Sequence, residues 1–275
     1  FTAVADDAAA AFYNPAGLIR LKDLQVMAET YFMSFDRSLS FISLGKPFTI
    51  GYNTYSAGFS WINYSAGNIE ERVTNSPDPD SVFSDNENIF VFSAAARPGD
   101  RLFIGGSFKY IFHNIKDTRG TGAGFDIGIL AGDFGGFRAG LNFRNISTNI
   151  NWADSSYIES VPLSIAAGAS YESKKILGTE GLDAAFMLDL ETCFFGRAEY
   201  ELRGGFELRA NDFFSVRMGY NGALVWGMGI RIKPSDVSGI RIDYAFMNDI
   251  IIPVSYTHLR AHETVLDLVC RLLLE

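Results

Sequence analysis

The sequence predicts an all-β protein, a transmembrane antiparallel β-barrel, and three observations support this fold class. In residues 197–209, charged and apolar side chains alternate with a period of two, which is the pattern of a β-strand with two different faces. Most segments with this pattern are longer than the ~5–6 residues usual in soluble proteins and match the ~9–11 residues of a tilted membrane-spanning strand. Aromatic residues make up 14% of the chain and it has 27 glycines, which is also typical of an all-β protein.

The alternation predicts thirteen strands in chain order. They lie near residues 24–33, 38–45, 48–64, 88–97, 101–113, 122–131, 136–145, 161–171, 181–191, 197–209, 212–220, 224–232 and 238–247. In the tenth strand, Tyr200, Leu202 and Phe206 are predicted to face lipid, since a membrane barrel is apolar outside and polar inside.

Aromatic residues recur near the ends of these strands, as expected for the girdles of a membrane barrel. The residues concerned are Tyr31, Phe32, Tyr64, Phe112, Tyr171, Phe213 and Phe214. Aromatics in the core of a soluble β-sandwich are the alternative, but the strand lengths and the charged face of residues 197–209 favour the barrel.

Long and short connections alternate along the chain. Long polar stretches follow the third and seventh strands, at residues 65–88 and 146–160, whereas residues 98–100, 132–136 and 211–212 are tight turns. All long loops then share one rim, which is the outer rim if the first strand starts on the periplasmic side.

Bacterial single-chain barrels nearly always have an even number of strands, so a fourteenth strand is expected. Residues 254–275 abandon the alternation and resemble translated adapter sequence, so the closing strand is predicted to be absent and this tail to be foreign. His258, His262 and Glu263 suggest half a metal site, but no third ligand is present and the H-E-x-x-H order is missing. An amphipathic helix that binds a partner is the remaining alternative for this tail.

Composition excludes several classes of protein. The net charge of −9 argues against nucleic acid as a partner, because phosphate binding needs a basic face. Cys193 and Cys270 fit neither a disulfide framework nor a metal spacing. The chain starts at Phe1 without a signal peptide and is interpreted as a fragment or a processed chain.

No catalytic, cofactor or metal motif occurs in the sequence, so an enzyme is not expected. Paired carboxylates such as Glu199 and Glu201 stand among arginines on one strand face and are interpreted as ion pairs of a polar lumen. The predicted lumen-lining residues are Arg197, Glu199, Glu201, Arg203, Glu207, Arg209, Arg217, Arg231, Arg241 and Asp243. His113 is predicted to be a rim residue rather than a ligand.

The opening stretch, FTAVADDAAAAFYNPAGL at residues 1–18, resembles the N-terminal signature of the long-chain fatty-acid transporter superfamily of outer-membrane proteins (FadL/PorV-like). The shared elements are the aromatic-Thr-Ala start, Ala-Asp-Asp, a short alanine run, two adjacent aromatics and Asn-Pro-Ala-Gly-Leu, and the match is best in the PorV-like and spirochaetal branches. The resemblance implies a fourteen-stranded barrel with an N-terminal hatch in its lumen. The expected domains are therefore a hatch at 1–22, a barrel at 23–253 and the tail at 254–275.

Local chemistry agrees with a short helical hatch. Asp6 or Asp7 can cap a helix, the alanines favour helix, and Asn14 before Pro15 ends it, after which Gly17 permits a sharp turn. An ordinary lead-in helix at the barrel mouth is the alternative interpretation of this segment.

The resemblance implies passive uptake of hydrophobic small molecules, such as long-chain fatty acids, across the outer membrane of a diderm, Gram-negative bacterium. The expected partners are outer-membrane lipid and a hydrophobic ligand, with no cofactor and no nucleic acid. The alternative is a PorV-like scaffold that works with the proteins of type IX secretion.

Overall fold

The computed structural model describes residues 1–33, 35–73, 77–153, 156–195, 197–233, 239–247 and 254–262, with the backbone alone at 133, 177, 195, 197, 247 and 254–262. Helical structure in these ranges is short: an α-helix α1 at Ala10–Tyr13 and 3-10 turns at Pro15–Arg20 and Ile176–Gly178. No helix in the described part of the chain has the length and apolarity needed to cross a bilayer.

The rest of the described chain is mainly β-strand. The first seven strands are β1 (Gln25–Met33), β2 (Arg37–Ile50), β3 (Asn53–Glu71), β4 (Ser81–Ala96), β5 (Leu102–Ile115), β6 (Thr118–Phe134) and β7 (Phe137–Trp152). The others are β8 (Ile158–Ser160), β9 (Ser164–Lys174), β10 (Leu182–Phe195), β11 (Arg197–Ala210), β12 (Phe214–Asn221), β13 (Leu224–Ile232), β14 (Gly239–Met247) and β15 (Val254–His262).

The strands form one antiparallel sheet in which neighbours in sequence are neighbours in space. The pairing runs from β6 back to β1, from β1 to β15, and from β15 back through β9 to β7, which also pairs with β6. The order of paired strands thus returns to its start through fourteen strands, while the three-residue β8 only pairs with the end of β7. The predicted transmembrane β-barrel and its count of fourteen are confirmed.

Apolar side chains cover the outside of the sheet and polar side chains face the inside. Tyr200 and Leu202 on β11 are 73% and 57% exposed, and Trp226 on β13 is 47% exposed, whereas Asp243 on β14 is fully buried. Phe206 packs against Phe186 of β10, with ring centroids 4.8 Å apart and ring planes tilted by 44°. A soluble protein buries its apolar face, so this reversed arrangement is that of a membrane barrel.

The predicted break between the second and third strands is wrong. Lys46 and Pro47 interrupt the alternation and were expected to lie between strands, but both belong to β2, which pairs with β3 up to Ile50. The turn comes at Gly51 and Tyr52, because a tight antiparallel turn needs a positive φ and Gly51 supplies it, with φ 62°.

Two predicted loops are shorter in the structure than in the sequence analysis. β3 continues to Glu71 and β4 starts at Ser81, so the first long loop shrinks to residues 72–80. β7 likewise continues to Trp152. Acidic, amide and glycine residues interrupt the apolar alternation in these strand ends, so the pattern that located the other strands does not mark them.

The predicted aromatic girdles are partly correct. Phe32, Phe112, Tyr171, Phe213 and Phe214 are exposed on the outside of the barrel. Tyr31 instead faces the inside, where its hydroxyl donates to Glu29, and Tyr64 shares the inward-facing side of β3 with Ile62. Position in the strand, rather than residue type, decides the face.

The predicted absence of a closing strand is also corrected. The backbone of Val254–His262 forms β15, which pairs with β14 on one side and β1 on the other. Pairing satisfies two edges whose backbone groups would otherwise lack partners in lipid. The foreign origin of residues 254–275 stays a prediction, and residues 263–275, including Glu263 and Cys270, lie outside the described residues.

Placing a charge on the outer face should destabilise the barrel. Leu202→Arg puts a cation among lipid chains and is expected to cost about 2–4 kcal/mol if the residue lies near the midplane. Glu199→Arg, three positions away on the opposite, polar face, is the matched control and should cost much less. Unfolding free energies in lipid vesicles measure both, and a larger loss for the control would contradict the assignment of faces.

Removing β15 should open the barrel. Deletion of residues 254–275 leaves β1 and β14 without ladder partners, so we expect loss of heat-stable migration on a gel. Deletion of residues 263–275 keeps β15 and serves as the control. If both truncated proteins migrate like the full chain, β15 contributes nothing to stability and the foreign origin of the tail gains support.

Candidate functional site

The N-terminal segment, residues 1–22, lies inside the barrel. Leu18 and six alanines of the segment are fully buried; the six are Ala5, Ala8, Ala9, Ala10, Ala11 and Ala16. Small side chains allow the backbone of the segment to approach the inner wall closely. The segment therefore fills part of the lumen.

Asp7 closes the turn that leads into the short helix of the segment. Its carboxylate accepts a hydrogen bond from the backbone N–H of Ala9 at 3.0 Å, and its carbonyl accepts one from Ala10 at 3.0 Å. Asp7 is fully buried, whereas Asp6 is exposed. The N-cap of α1 is Ala9, which has no side-chain cap, so neither Asp6 nor Asp7 caps this helix as predicted.

Asn14 ties the end of α1 to the barrel wall. Its amide nitrogen donates to the carbonyls of Thr2 at 2.8 Å and of Ile129 on β6 at 3.2 Å, while its side-chain oxygen accepts from Ala16 N–H at 3.2 Å. Its backbone is extended, with φ −156° and ψ 99°, as expected before Pro15. Asn142 on β7 adds a second tie by donating to the carbonyl of Tyr13.

Gly17 has a different role from the predicted one. It is absent from the glycines with a positive φ, so it does not make a sharp turn. A Cβ at this position would lie 2.7 Å from the Ala5 Cβ and 2.9 Å from the Ala10 Cβ. Glycine is needed here because two parts of the segment touch.

Inward-facing glycines of the wall receive the segment. A Cβ on Gly105 of β5 would lie closer than 3.0 Å to Ala16 N and Pro15 C, and one on Gly128 of β6 would meet Asn14 and Pro15. A Cβ on Gly45 or Gly140 would likewise lie closer than 3.0 Å to Leu21 or Thr2, and a Cβ on Gly58 or Gly168 would lie 3.0 Å from Leu18 or Thr2. Six strands therefore provide a glycine surface that fits the segment.

One side of the lumen is apolar. This apolar wall is formed by β1 to β4 and consists of Met27, Leu39, Phe41, Ile62, Ile89 and Val91. The aromatic pair of the segment packs against it, with Phe12 and Phe41 ring centroids 6.3 Å apart and Phe12 and Tyr13 centroids 5.0 Å apart. Phe12 and Tyr13 are only partly buried, so they remain accessible to an apolar molecule.

The opposite side of the lumen is charged. On this charged wall, formed by β7 to β14, Glu191 accepts hydrogen bonds from Arg144, from Ser164 and from Arg203 Nη1, the last at 2.8 Å. The Arg144 guanidinium carbon also lies 5.9 Å from the Phe12 ring centroid. The charged wall and the N-terminal segment are therefore in contact.

A second network lies around Asp243. Arg217 Nη1 is 2.5 Å from Asp243 Oδ1 and its Nη2 is 2.8 Å from Glu207 Oε1; Arg241 Nε is 2.8 Å from Asp243 Oδ2. The Asp243 side chain is fully buried. A buried carboxylate is tolerated when its charge is paired and its oxygens accept hydrogen bonds, so these arginines neutralise the site.

The predicted lumen residues divide into three groups. Six of the ten lie on the charged wall: Arg203, Glu207, Arg209, Arg217, Arg241 and Asp243. Glu199 and Glu201 are exposed near the rim, where Glu201 pairs with Arg203, and Arg231 pairs with Asp212 at the opposite rim at 3.6 Å. The side chain of Arg197 lies outside the described ones.

Several lumen charges were not singled out by the sequence analysis. Glu172 holds Arg138 and Arg209, each at 2.7 Å, and Asp126 holds Lys109 at 2.8 Å. Glu191 was missed as well. Alternation in β5, β6, β7, β9 and β10 could have placed these residues on the inner face, but it carries no information about which cross-strand partner each one meets.

No three His, Cys, Asp or Glu side chains in the described ranges come close enough together to hold a metal ion. His113 lies near the end of β5, where its Nε2 is 2.6 Å from Asp85 and its ring is 5.0 Å from that of Trp152. The side chains of His258 and His262 lie outside the described ones.

Comparison with solved structures identifies similar folds. The chain is similar to the TodX deltaS2S3 mutant monoaromatic hydrocarbon channel, with a TM-score of 0.56, 11% sequence identity and 92% of each chain covered. It also matches CdiB from Acinetobacter baumannii with a TM-score of 0.45 and 9% identity, over 88% of this chain and 60% of that one. No protein-family profile and no curated protein sequence matches the chain. At these identities the similarity to the channel shows the fold.

A side chain on the glycine surface should displace the N-terminal segment. Gly105→Val would place methyl groups where the backbone of residues 15 and 16 lies, at a cost of about 1–3 kcal/mol for overpacking. Gly106→Val is the matched control, because a Cβ there meets its nearest atom at 3.6 Å and points outward. Limited proteolysis should cleave the segment in the first variant only, and equal cleavage of both would contradict the docked position.

Proposed function

We propose that this protein is an outer-membrane channel of a diderm bacterium through which hydrophobic small molecules pass by diffusion. The N-terminal segment acts as a hatch, which closes the lumen until a ligand binds. No catalytic step is part of this proposal. The lipid of the outer membrane surrounds the exposed apolar belt, as for other barrels of this type.

The observation that carries the proposal is the apolar wall in an otherwise polar lumen. A water-filled pore for ions or sugars has a polar lining. Here Phe41, Ile62 and Val91 are buried beside the aromatic pair of the segment, so an apolar molecule can lose contact with water there. Hydrophobic burial contributes about 25 cal/mol per Å², enough for weak, reversible binding of a small ligand.

Binding at this wall would also act on the hatch. Phe12 and Tyr13 belong to the segment and to the lining at the same time. A ligand that contacts them better in an open arrangement shifts the equilibrium towards opening, and a differential affinity of a few kcal/mol suffices.

The resemblance of the opening motif to the FadL/PorV-like superfamily supports this function, and so does the fold shared with a monoaromatic hydrocarbon channel. Long-chain fatty acids and aromatic hydrocarbons are thus the two candidate ligand classes. Assignment to the PorV-like or spirochaetal branch stays a prediction from the motif. A scaffold role in type IX secretion is the rival proposal, and it requires no ligand to pass.

Deleting residues 1–18 should test the hatch directly. Their removal takes away α1, Asn14 and Leu18, so ion conductance in planar bilayers should rise while the barrel keeps its heat-stable migration. Binding of an apolar ligand should raise the conductance of the full chain and no longer affect the truncated one.

Lys22→Gln, at an exposed position of the same segment, is the control and should behave as the full chain does. If conductance is the same with and without residues 1–18, the segment is a lead-in helix and not a hatch. If a secretion protein is retained equally by both forms and no apolar ligand binds, the scaffold role is favoured.

A further inference from the structure

We propose that the ligand of this channel is an apolar compound without an anionic group, so that long-chain fatty-acid anions are poor ligands. This inference rests on the proposed function and decides between its two candidate ligand classes. It depends on how the charges of the lumen are paired.

On the inner faces of β5, β7 and β11 to β14, each described lysine or arginine already has a carboxylate partner. The eight cations are Lys109, Arg138, Arg144, Arg203, Arg209, Arg217, Arg231 and Arg241, and their partners are Asp126, Glu172, Glu191, Glu207, Asp212 and Asp243. On these strands a ligand carboxylate therefore meets only described cations that a carboxylate of the wall already holds.

Taking one of these arginines from its partner would be unfavourable. The side chains of Glu191 and Asp243 are 5% and 0% exposed, so losing an arginine would leave a buried carboxylate without compensation. Two carboxylates sharing one guanidinium would add like-charge repulsion at short range. An uncharged ligand leaves every pair intact.

The charges at the rim with the loop at 72–80 are paired as well. Arg72 lies 2.6 Å from Glu70, Lys116 lies 2.6 Å from Glu71, and His113 Nε2 lies 2.6 Å from Asp85. Further carboxylates at this rim are Glu87, Glu159, Asp78 and Asp80. A ligand carboxylate would have to compete with these carboxylates for Arg72 and Lys116.

The residues of the apolar wall bind a ligand without charged contacts. These residues and the aromatic pair of the segment offer dispersion and hydrophobic contacts alone, apart from the Tyr13 hydroxyl. Arg144 of the charged wall lies beside Phe12 of the segment and could meet a carboxylate bound there, but Glu191 already pairs with it.

The test compares two ligands that differ only in their head group. Isothermal titration of the full chain in nanodiscs at pH 8, with empty nanodiscs subtracted, would use decan-1-ol and decanoate. The alcohol should bind at least about tenfold more tightly than the carboxylate. Decanoate binding as tightly as decanol overturns this inference but leaves the proposed function intact, whereas binding of neither overturns both.

A variant should reverse the preference. Glu191→Gln keeps the size of the side chain and removes the charge that Arg144 and Arg203 share, so decanoate should gain about tenfold in affinity while decanol is unchanged. Glu201→Gln is the matched control: it lies at the rim, and Arg203 keeps Glu191 there, so neither affinity should change. No gain for decanoate in a folded Glu191→Gln protein would show that pairing of Arg144 does not exclude the anion.

Discussion

The structure depends on the hydrogen bonds of the backbone in a solvent that offers none. Lipid cannot satisfy N–H and C=O groups, so each strand must pair on both sides, and the ladders continue around the sheet until they return to their start. Once the backbone is satisfied in this way, side chains alternate between lipid and lumen. Charged residues and glycines of many strands then face inward, which concentrates them in a small space.

Within that space, shape and charge are arranged on different sides. Glycines of six strands allow the wall to lie against the backbone of the N-terminal segment. The side-chain amides of Asn14 and Asn142 then fix the segment by donating to backbone carbonyls. The carboxylates of the charged wall compensate the charges of the arginines on nearby strands of the same wall. Polar groups therefore hold the segment in position, while the exposed surfaces of Phe12 and Tyr13 stay available.

The sequence predicted the parts of this fold that have a period. The limits of the strand at residues 224–232 are those found for β13, because large apolar residues occupy every second position from Leu224 to Ile232. Alternation failed where a residue type misled it: Pro47 suggested a turn inside β2, and the polar ends of β3 and β4 suggested a loop. It also failed for β15, whose sequence has no clear apolar face.

The interior of the barrel was harder to predict because its contacts join distant parts of the chain. Asn14 could be recognised from local rules, since its side chain caps the turn that follows it, and alternation placed Glu207 and Arg217 on an inner face. Nothing local in the sequence indicates that Gly105 meets Pro15, or that Glu191 lies between Arg144 and Arg203. Such pairings follow from the circumference and stagger of the closed sheet, which only the complete set of strands determines.

The pairing of β1 with β15 has a consequence for the order of assembly. Every other ladder of the ring joins strands that follow one another in the chain, whereas this one brings Gln25 to His262. The entropy lost on closing a chain rises with the logarithm of the number of residues enclosed. This seam therefore carries the largest loss of chain entropy of any ladder in the barrel, and the other thirteen ladders can be in register before it has to form.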